Sequence, residues 1–487
     1  MFAKIVSAIN DVVWSPALVV LLIFAGIYFS IRTGFVQVRR FGLMLKSLFS
    51  RRDKTRDTQG ISSFQAFCVA LSGRVGTGNI VGVATAIALG GPGSVFWMWI
   101  IAFFGASTAF VESTLAQIYK FKHSTGYRGG PSNYIQYGLG LKWLGIVFSL
   151  IAVVGFSTML TTVQSNGISS ALGNSYGLSH LISGLILAFV LGLVIIGGIK
   201  SISKVASVVT PFMALGYVLI SIVVIILHIH DVPAVLGSIV TNAFGIRPVA
   251  GGILGSTIMM GVKRGIFSNE AGQGSGAIVS ASADVPHPVK QGLAQSFSVY
   301  VDTLLVCTAT ALMILCSGTY NILDSSGNIL VEKAPELADN YVGYTQAALD
   351  SVMSGFGSQF VTIALFFFVF TTVMAYYFYS ESSIMYMFDV CGKGGSRTEK
   401  LCVWALRIVI LAATVFGAVR ETNAIWMLGD IGVGLMAWVN VITLLILCPK
   451  AIRALKDYES RLRRGESEPV YRPDASEKGT DAWRAED

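Results

Sequence analysis

The sequence predicts an all-α polytopic membrane protein. Its eleven transmembrane helices form a 5+5 inverted repeat with two broken helices, plus an extra N-terminal helix. Three observations carry this. Hydrophobic residues make up 53% of the 487 and charged residues 13%, with a mean hydropathy of +0.67; soluble domains average about 25% charged. Apolar runs of spanning length recur along the chain. Two of those runs are interrupted near the middle by Gly-rich polar clusters. Composition excludes a soluble enzyme, and without a GxxxxGK[ST] loop ATP hydrolysis is not expected.

A span needs about 20 apolar residues. Such runs fall at 13–31, 61–89, 93–119, 143–172, 179–198, 205–229, 250–283, 289–318, 357–388, 400–419 and 424–448. The first lacks a small-residue cleavage site and is followed by a basic segment, so it reads as a helix rather than a signal peptide. The expected organisation is a helix and basic segment (1–60), a first five-helix repeat (61–230), a second, inverted one (231–449) and a charged tail (450–487). Nine basic and nine acidic residues in that tail suggest a short amphipathic surface helix followed by disorder.

The net charge of +8 points to topology, not nucleic acid, because basic residues cluster in alternate loops. After helix 1 come Arg32, Arg39, Arg40, Lys46, Arg51, Arg52, Lys54 and Arg56. The same side carries Lys120, Lys122, Arg128, Lys142, Lys200, Lys204, Lys290, Lys393, Arg397, Lys400 and the tail. The other side holds Lys4, Arg247, Lys333, Arg420 and the acidic loop 319–355. The positive-inside rule puts the N-terminus outside and the C-terminus in the cytoplasm, as an odd span count requires. The plasma (inner) membrane is the expected location. The six cysteines lack CxxC spacing and read as small hydrophobes; the five histidines sit at span ends or in loops, with no metal cluster.

Helix 2 contains Ser72–Ile80 (SGRVGTGNI) and helix 7 contains Gly265–Gly276 (GIFSNEAGQGSG). Each Gly costs about 1 kcal/mol in a helix interior. Burying Arg74, Asn79, Asn269 and Glu270 costs more unless they face partners or a cavity. Close helix packing through small residues would need none of these polar groups. Both helices are therefore expected to break, near Gly76 and near Phe267. Five spans separate the two clusters, so the two groups cross the bilayer in opposite senses. That is the signature of a secondary transporter with its site between the repeats. A channel and a membrane-embedded enzyme are the rival classes. The inverted duplication within one chain speaks against the first. The second lacks a mid-span histidine, HExxH or GxSxG.

Gly73–Ala84 (GRVGTGNIVGVA), Gly90–Trp99 (GGPGSVFWMW) and Arg264–Gly272 (RGIFSNEAG) resemble the alanine/glycine:cation symporter family, over residues 10 to 455. The resemblance implies sodium-coupled uptake of small amino acids and the leucine-transporter-type fold with an extra N-terminal helix; no obligate protein partner is inferred from the sequence. Many members read Gly-Trp-Tyr-Tyr-Tyr-Gly-Glu in the ninth helix; here Tyr376 stands at the Trp position of Ala375–Glu381.

An amino acid so bound needs donors for its carboxylate. The amides of Thr77, Gly78 and Asn79, following Gly76 at a positive helix end, supply them. The Thr77 hydroxyl either adds a bond or bonds back to its own helix. Carbonyls around Phe267 and Ser268, with Asn269, are candidates for the ammonium group. Gln164 either contacts the ligand or clamps two helices, and Phe267 either closes over a small side chain or merely packs. The fold implies a sodium site from the Ser72 and Val75 carbonyls and the Thr371 and Thr372 hydroxyls; back-bonding is the alternative for the threonines. Asn79 is a candidate for a second ion and Asp302 for ion coupling. Arg74 and Glu270 flank the breaks and are expected to pair. Alanine and glycine are the expected substrates, glutamine the alternative.

Overall fold

The computed structural model describes residues 2–50, 60–245, 254–324, 328–474 and 476–483. Pro16 needs no amide partner at a first helical turn and starts a new helix there, so α1 (Phe2–Val13) gives way to α2 (Pro16–Arg32). The basic segment folds as α3 (Val36–Arg39) and α4 (Phe41–Leu48); the basic residues at 51–56 lie outside the described residues. Next come α5 (Ser63–Arg74), a wide turn at Gly78–Gly82, α6 (Val83–Gly90) and α7 (Gly93–Ile118). A hairpin of β1 (Phe121–His123) and β2 (Gly126–Arg128) leads to α8 (Pro131–Asn133), α9 (Lys142–Val154), α10 (Thr161–Tyr176), α11 (His180–Ile195), α12 (Gly198–Leu227) and α13 (Val232–Ala243).

The second half opens with α14 (Leu254–Asn269) and α15 (Ser275–Ala281), followed by α16 (Pro288–Val299) and α17 (Thr308–Ser317). The acidic loop holds β3 (Asn321–Leu323), β4 (Ile329–Glu332) and α18 (Tyr341–Asp350). Then come α19 (Gly357–Val390), α20 (Arg397–Ala418) and α21 (Thr422–Arg463). Among the described residues, eight helical segments are long and apolar enough to cross a membrane, or up to nine if the pair Ser63–Arg74 with Gly78–Gly90, bent by 50°, is one span. The run 179–198 is a helix of only 16 residues, α11. The run 250–283 is divided between α14 and α15, with 250–253 outside the described residues. At the centre, α7 packs against α2, α14, α15 and α16.

The first break falls at Gly76, where expected. Ser62 starts α5 with a reciprocal cap: its hydroxyl accepts from the Gln65 amide (3.1 Å), and its own amide donates to Gln65 Oε1 (3.0 Å). Val75 then turns extended (φ −75°, ψ 90°) and ends the helix. A Cβ on Gly76 would lie 2.7 Å from both Gln164 Oε1 and Thr372 Oγ1, so only glycine lets α10 and α19 approach there. The second break lies later than Phe267. Phe267, Ser268 and Asn269 are helical; the chain departs at Glu270 (φ 55°), Gly272 (φ 86°) and Gly274 (φ 96°). Left-handed backbone is inexpensive only for glycine, so the gap forms where the glycines are. Glu270 adopts it without that freedom, a strained position of the kind that clusters at functional sites.

The tail also departs from expectation. Pro449 does not stop α21, which runs on to Arg463. Beyond it the described residues pack back on the molecule: the Tyr471 amide donates to Pro286 O (2.9 Å), and Trp483 is buried.

Two left-handed glycines test the crowding around the second break. Gly177 (φ 63°) has nothing within 4 Å of a built Cβ, whereas at Gly274 that atom would lie 2.5 Å from Pro131 Cγ and 3.0 Å from Phe148 Cζ. Gly177→Ala should cost only the left-handed penalty, about 1–2 kcal/mol. Gly274→Ala should add an overpacking cost of about 1–3 kcal/mol. Thermal midpoints of the purified variants check this; equal shifts would contradict the crowding.

Candidate functional site

The two breaks face each other across a buried junction. On the first, the Asn79 side chain folds back, its Oδ1 accepting from the Gly76 amide (2.9 Å). The Thr77 amide and hydroxyl both donate to Gln164 Oε1 (2.9 and 2.5 Å). The Gln164 oxygen therefore sits at the positive end of the half-helix formed by residues 77–90, where an anionic oxygen is electrostatically favoured. A Cβ on Gly78 would lie 3.2 Å from Phe267 Cδ1, so the two broken segments touch at this point.

On the second, the expected unwound carbonyls at Phe267 and Ser268 belong instead to the last turn of α14. They are still among the carbonyls that lie at a helix C-terminus, where partial negative charge suits a cation. The Phe267 ring lies 5.1 Å from that of Trp426. Asn269 Oδ1 accepts from the Ala271 amide (3.0 Å), while its Nδ2 is buried with no hydrogen-bond partner among the described residues. Its spare group is thus a donor, which suits a carboxylate better than the ammonium expected there. Tyr376 lies beside Glu270 and Gln164, its ring 5.5 Å from Phe156.

The adjacent threonines behave differently. The Thr372 hydroxyl meets Ser72 O (2.7 Å) and Val75 O (3.2 Å). Three oxygens from α19 and the end of α5 thereby converge, the neutral acceptor set that a hard cation takes. Thr371 bonds back to Phe367 O (2.9 Å) and Phe368 O (3.1 Å) and has Met213 Sδ at 3.8 Å. The structure does not bring it to Ser72 and Val75.

Asp302 ties the breaks together. Its Oδ1 accepts from Asn79 Nδ2 (2.6 Å) and its Oδ2 from the hydroxyls of Ser268 (2.8 Å) and Thr303 (2.6 Å). Among the described residues no Lys, Arg or His nitrogen pairs with it. Asn79 and Ser268 thus spend side-chain bonds on this carboxylate. Arg74 does not pair with Glu270 among the described residues. It donates to Gln295 Oε1 (3.2 Å) and to Ser298 Oγ, while Glu270 accepts from Ser275 (2.7 Å).

Trp426 also lines a cavity of about 530 Å³, together with Lys263, Arg264, Asp339 and Asp430. Asp430 Oδ2 accepts from Arg264 Nη2 (2.6 Å) and Lys263 Nζ (2.8 Å), and the Arg264 guanidinium stands 4.7 Å from the Trp426 ring. No spacing rule in the sequence singles out this pairing or Trp426.

Residues 1–472 match the model of the sodium:alanine symporter family. Similar proteins include the putative sodium/proton-dependent alanine carrier protein YrbD of Bacillus subtilis, 48% identical over 99% of this chain and 98% of that one. The probable sodium/glutamine symporter GlnT of the same organism is 42% identical over 99% and 96%. Among solved structures, MhsT in complex with L-phenylalanine superimposes with a TM-score of 0.57 at 12% identity, covering 82% of this chain and 98% of that one.

Asp430 neutralises two buried cations at once, so Asp430→Asn should strand both. Removing one partner of a buried ion pair typically costs about 3–5 kcal/mol. The thermal midpoint should fall by several degrees and recover in part when Lys263→Met removes one stranded cation. An unchanged midpoint for Asp430→Asn would contradict this reading.

Proposed function

The chain belongs to the sodium:alanine symporter family and is a multi-pass membrane protein; from that premise we propose that it imports a small neutral amino acid together with sodium by alternating access. The observation that carries this is the double use of one broken helix. The Ser72 and Val75 carbonyls meet the Thr372 hydroxyl on one side of Gly76, and the Thr77 amide points at an oxygen on the other. Cation acceptors and anion donors thus lie a few residues apart.

In this reading the ligand carboxylate takes the place of the Gln164 oxygen at Gly76, Thr77, Gly78 and Asn79. Asn269 Nδ2 adds a donor, and the ammonium group faces the α14 carbonyls at Phe267 and Ser268. Phe267 closes over a small side chain, with Tyr376 as the far wall. Sodium sits at Ser72, Val75 and Thr372, with Thr371 outside the ligand set. The chain crosses the plasma (inner) membrane eleven times as two inverted five-helix repeats, residues 61–230 and 231–449, after an added first helix. The charge bias supports an outer N-terminus and a cytoplasmic C-terminus.

Side-chain geometry separates the two threonines. Thr372→Val should raise the half-saturating sodium concentration for alanine uptake into proteoliposomes by about tenfold, the loss of about 1.4 kcal/mol. Thr371→Val should leave it nearly unchanged. The reverse order would displace the cation site.

Alanine is the preferred substrate, with glycine and serine close, because backbone occupies two sides of the site and one methylene is worth only about 1–3 kcal/mol in such a pocket. The 42% identical relative named as a sodium/glutamine symporter favours glutamine as the second reading. Competition against labelled alanine decides: inhibition by glutamine at lower concentration than by unlabelled alanine would overturn the ranking.

A further inference from the structure

The chain does not leave the molecule after α21. Its described tail residues, up to Asp474 and from Ser476 to Trp483, run back across the ends of several helices. Glu468 pairs with Lys290 at the start of α16 (2.5 Å). The Tyr471 amide donates to Pro286 O (2.9 Å), and the His287 ring is held between Tyr458 (4.9 Å) and Tyr471 (5.3 Å). Glu477 accepts from the Tyr119 hydroxyl (2.8 Å) and pairs with Lys450 (2.9 Å). Trp483 packs on Tyr471 (5.3 Å), and its indole N–H donates to Gln117 O (2.8 Å).

What lies under this strap is the meeting point of the two broken helices. Just before α5, the Ile61 amide donates to Ser282 O (3.0 Å), and the Asp284 amide donates to Ile61 O (2.9 Å). Between those bonds, the Ala283 carbonyl accepts from Gln117 Nε2 (3.0 Å) and Lys120 Nζ (3.2 Å) at the end of α7. The Lys120 ammonium stands 4.2 Å from the Trp483 ring and 4.4 Å from the Tyr127 ring. Any movement that parts α5 from α15, or either from α7, must break this junction. Trp483 is the nearer of the two rings over the cation that secures it.

We infer that the tail is a latch on the cytoplasmic gate: docked, it holds the turn at residues 282–287 against α5 and α7, and its release precedes opening of the inner half of the site. The inference rests on the orientation and alternating access proposed above. The composition of the tail hides this, because its nine acidic and nine basic residues read as solvated chain, whereas Glu468, Tyr471, Glu477 and Trp483 dock on the molecule.

Hydrogen–deuterium exchange of the purified full-length protein tests it without any transport assay. Peptides covering Ile61 and Asp284 report the junction, and Trp483 touches neither residue's amide. Trp483→Ala should speed exchange there by about tenfold, equivalent to about 1.4 kcal/mol. Trp483→Phe, which keeps a ring over Lys120 but loses the N–H, should fall between it and the native protein. Glu468→Gln, a mild change at the exposed far end of the strap, should act in the same direction. Unchanged exchange at Ile61 and Asp284 in Trp483→Ala and Glu468→Gln would overturn the latch while leaving sodium-coupled uptake intact. Acceleration spread evenly over the chain, α2 included, would overturn it by making Trp483 a general stabiliser. Absence of sodium-driven uptake by the native protein would instead defeat the transporter reading, and the exchange data would still report on the docking.

Discussion

A helix broken inside an apolar interior strands amides on one side of the gap and carbonyls on the other. Each buried group left without a partner costs about 1–3 kcal/mol. The side chains around Gly76 and Glu270 are arranged to meet that cost. Asn79 Oδ1 takes the Gly76 amide, Gln164 the Thr77 amide, and the Thr372 hydroxyl bridges the carbonyls of Ser72 and Val75. In the proposed reading, the Gln164 oxygen and the Thr372 hydroxyl are exchangeable stand-ins for the ligands. An oxygen at Thr77 can be replaced by a carboxylate oxygen, and a hydroxyl proton between carbonyls by a cation. On that reading, satisfying the broken backbone and binding the ligands are the same requirement, and the proposed site lies where the helices fail.

The breaks are made by different means, with different consequences. At Val75 the chain turns extended, and Gly76 lets two other helices come close. At Glu270–Gly274 the chain turns left-handed, and α14 keeps its last turn, so Phe267 can lean on Trp426 while Ser268 reaches Asp302. Asp302 accepts from both broken segments. A shift of either one is therefore felt by the other through a single carboxylate, in addition to the direct contact of Gly78 with Phe267.

Much of this was legible in the sequence. Glycines and polar residues inside apolar runs are expensive enough to mark both breaks. The position of the second break was less so, because glycine occurs throughout 265–276 and only the left-handed φ values at 272 and 274 tell which ones are used. The Thr371–Thr372 pair was ambiguous for a geometric reason: at 3.6 residues per turn, neighbours point about 100° apart, and only one can face α5. Asn269 is a candidate for the ammonium group from the sequence, but which of its side-chain atoms is spare depends on the Ala271 amide, two residues on, which donates to its oxygen. Pairings across the chain, such as Trp426 with Phe267, Asp430 with Lys263 and Arg264, or Trp483 with Lys120, leave no periodic signal and appear only once the helices are packed.

If one broken helix serves both ligands, each must strengthen the other. Alanine binding to the purified protein, measured by calorimetry in sodium and in an inert organic cation, tests this most directly. Coupling of the usual 1–3 kcal/mol corresponds to about 5–150-fold, so alanine should bind at least about fivefold more tightly in sodium. Equal affinity in the two cations would contradict the shared site.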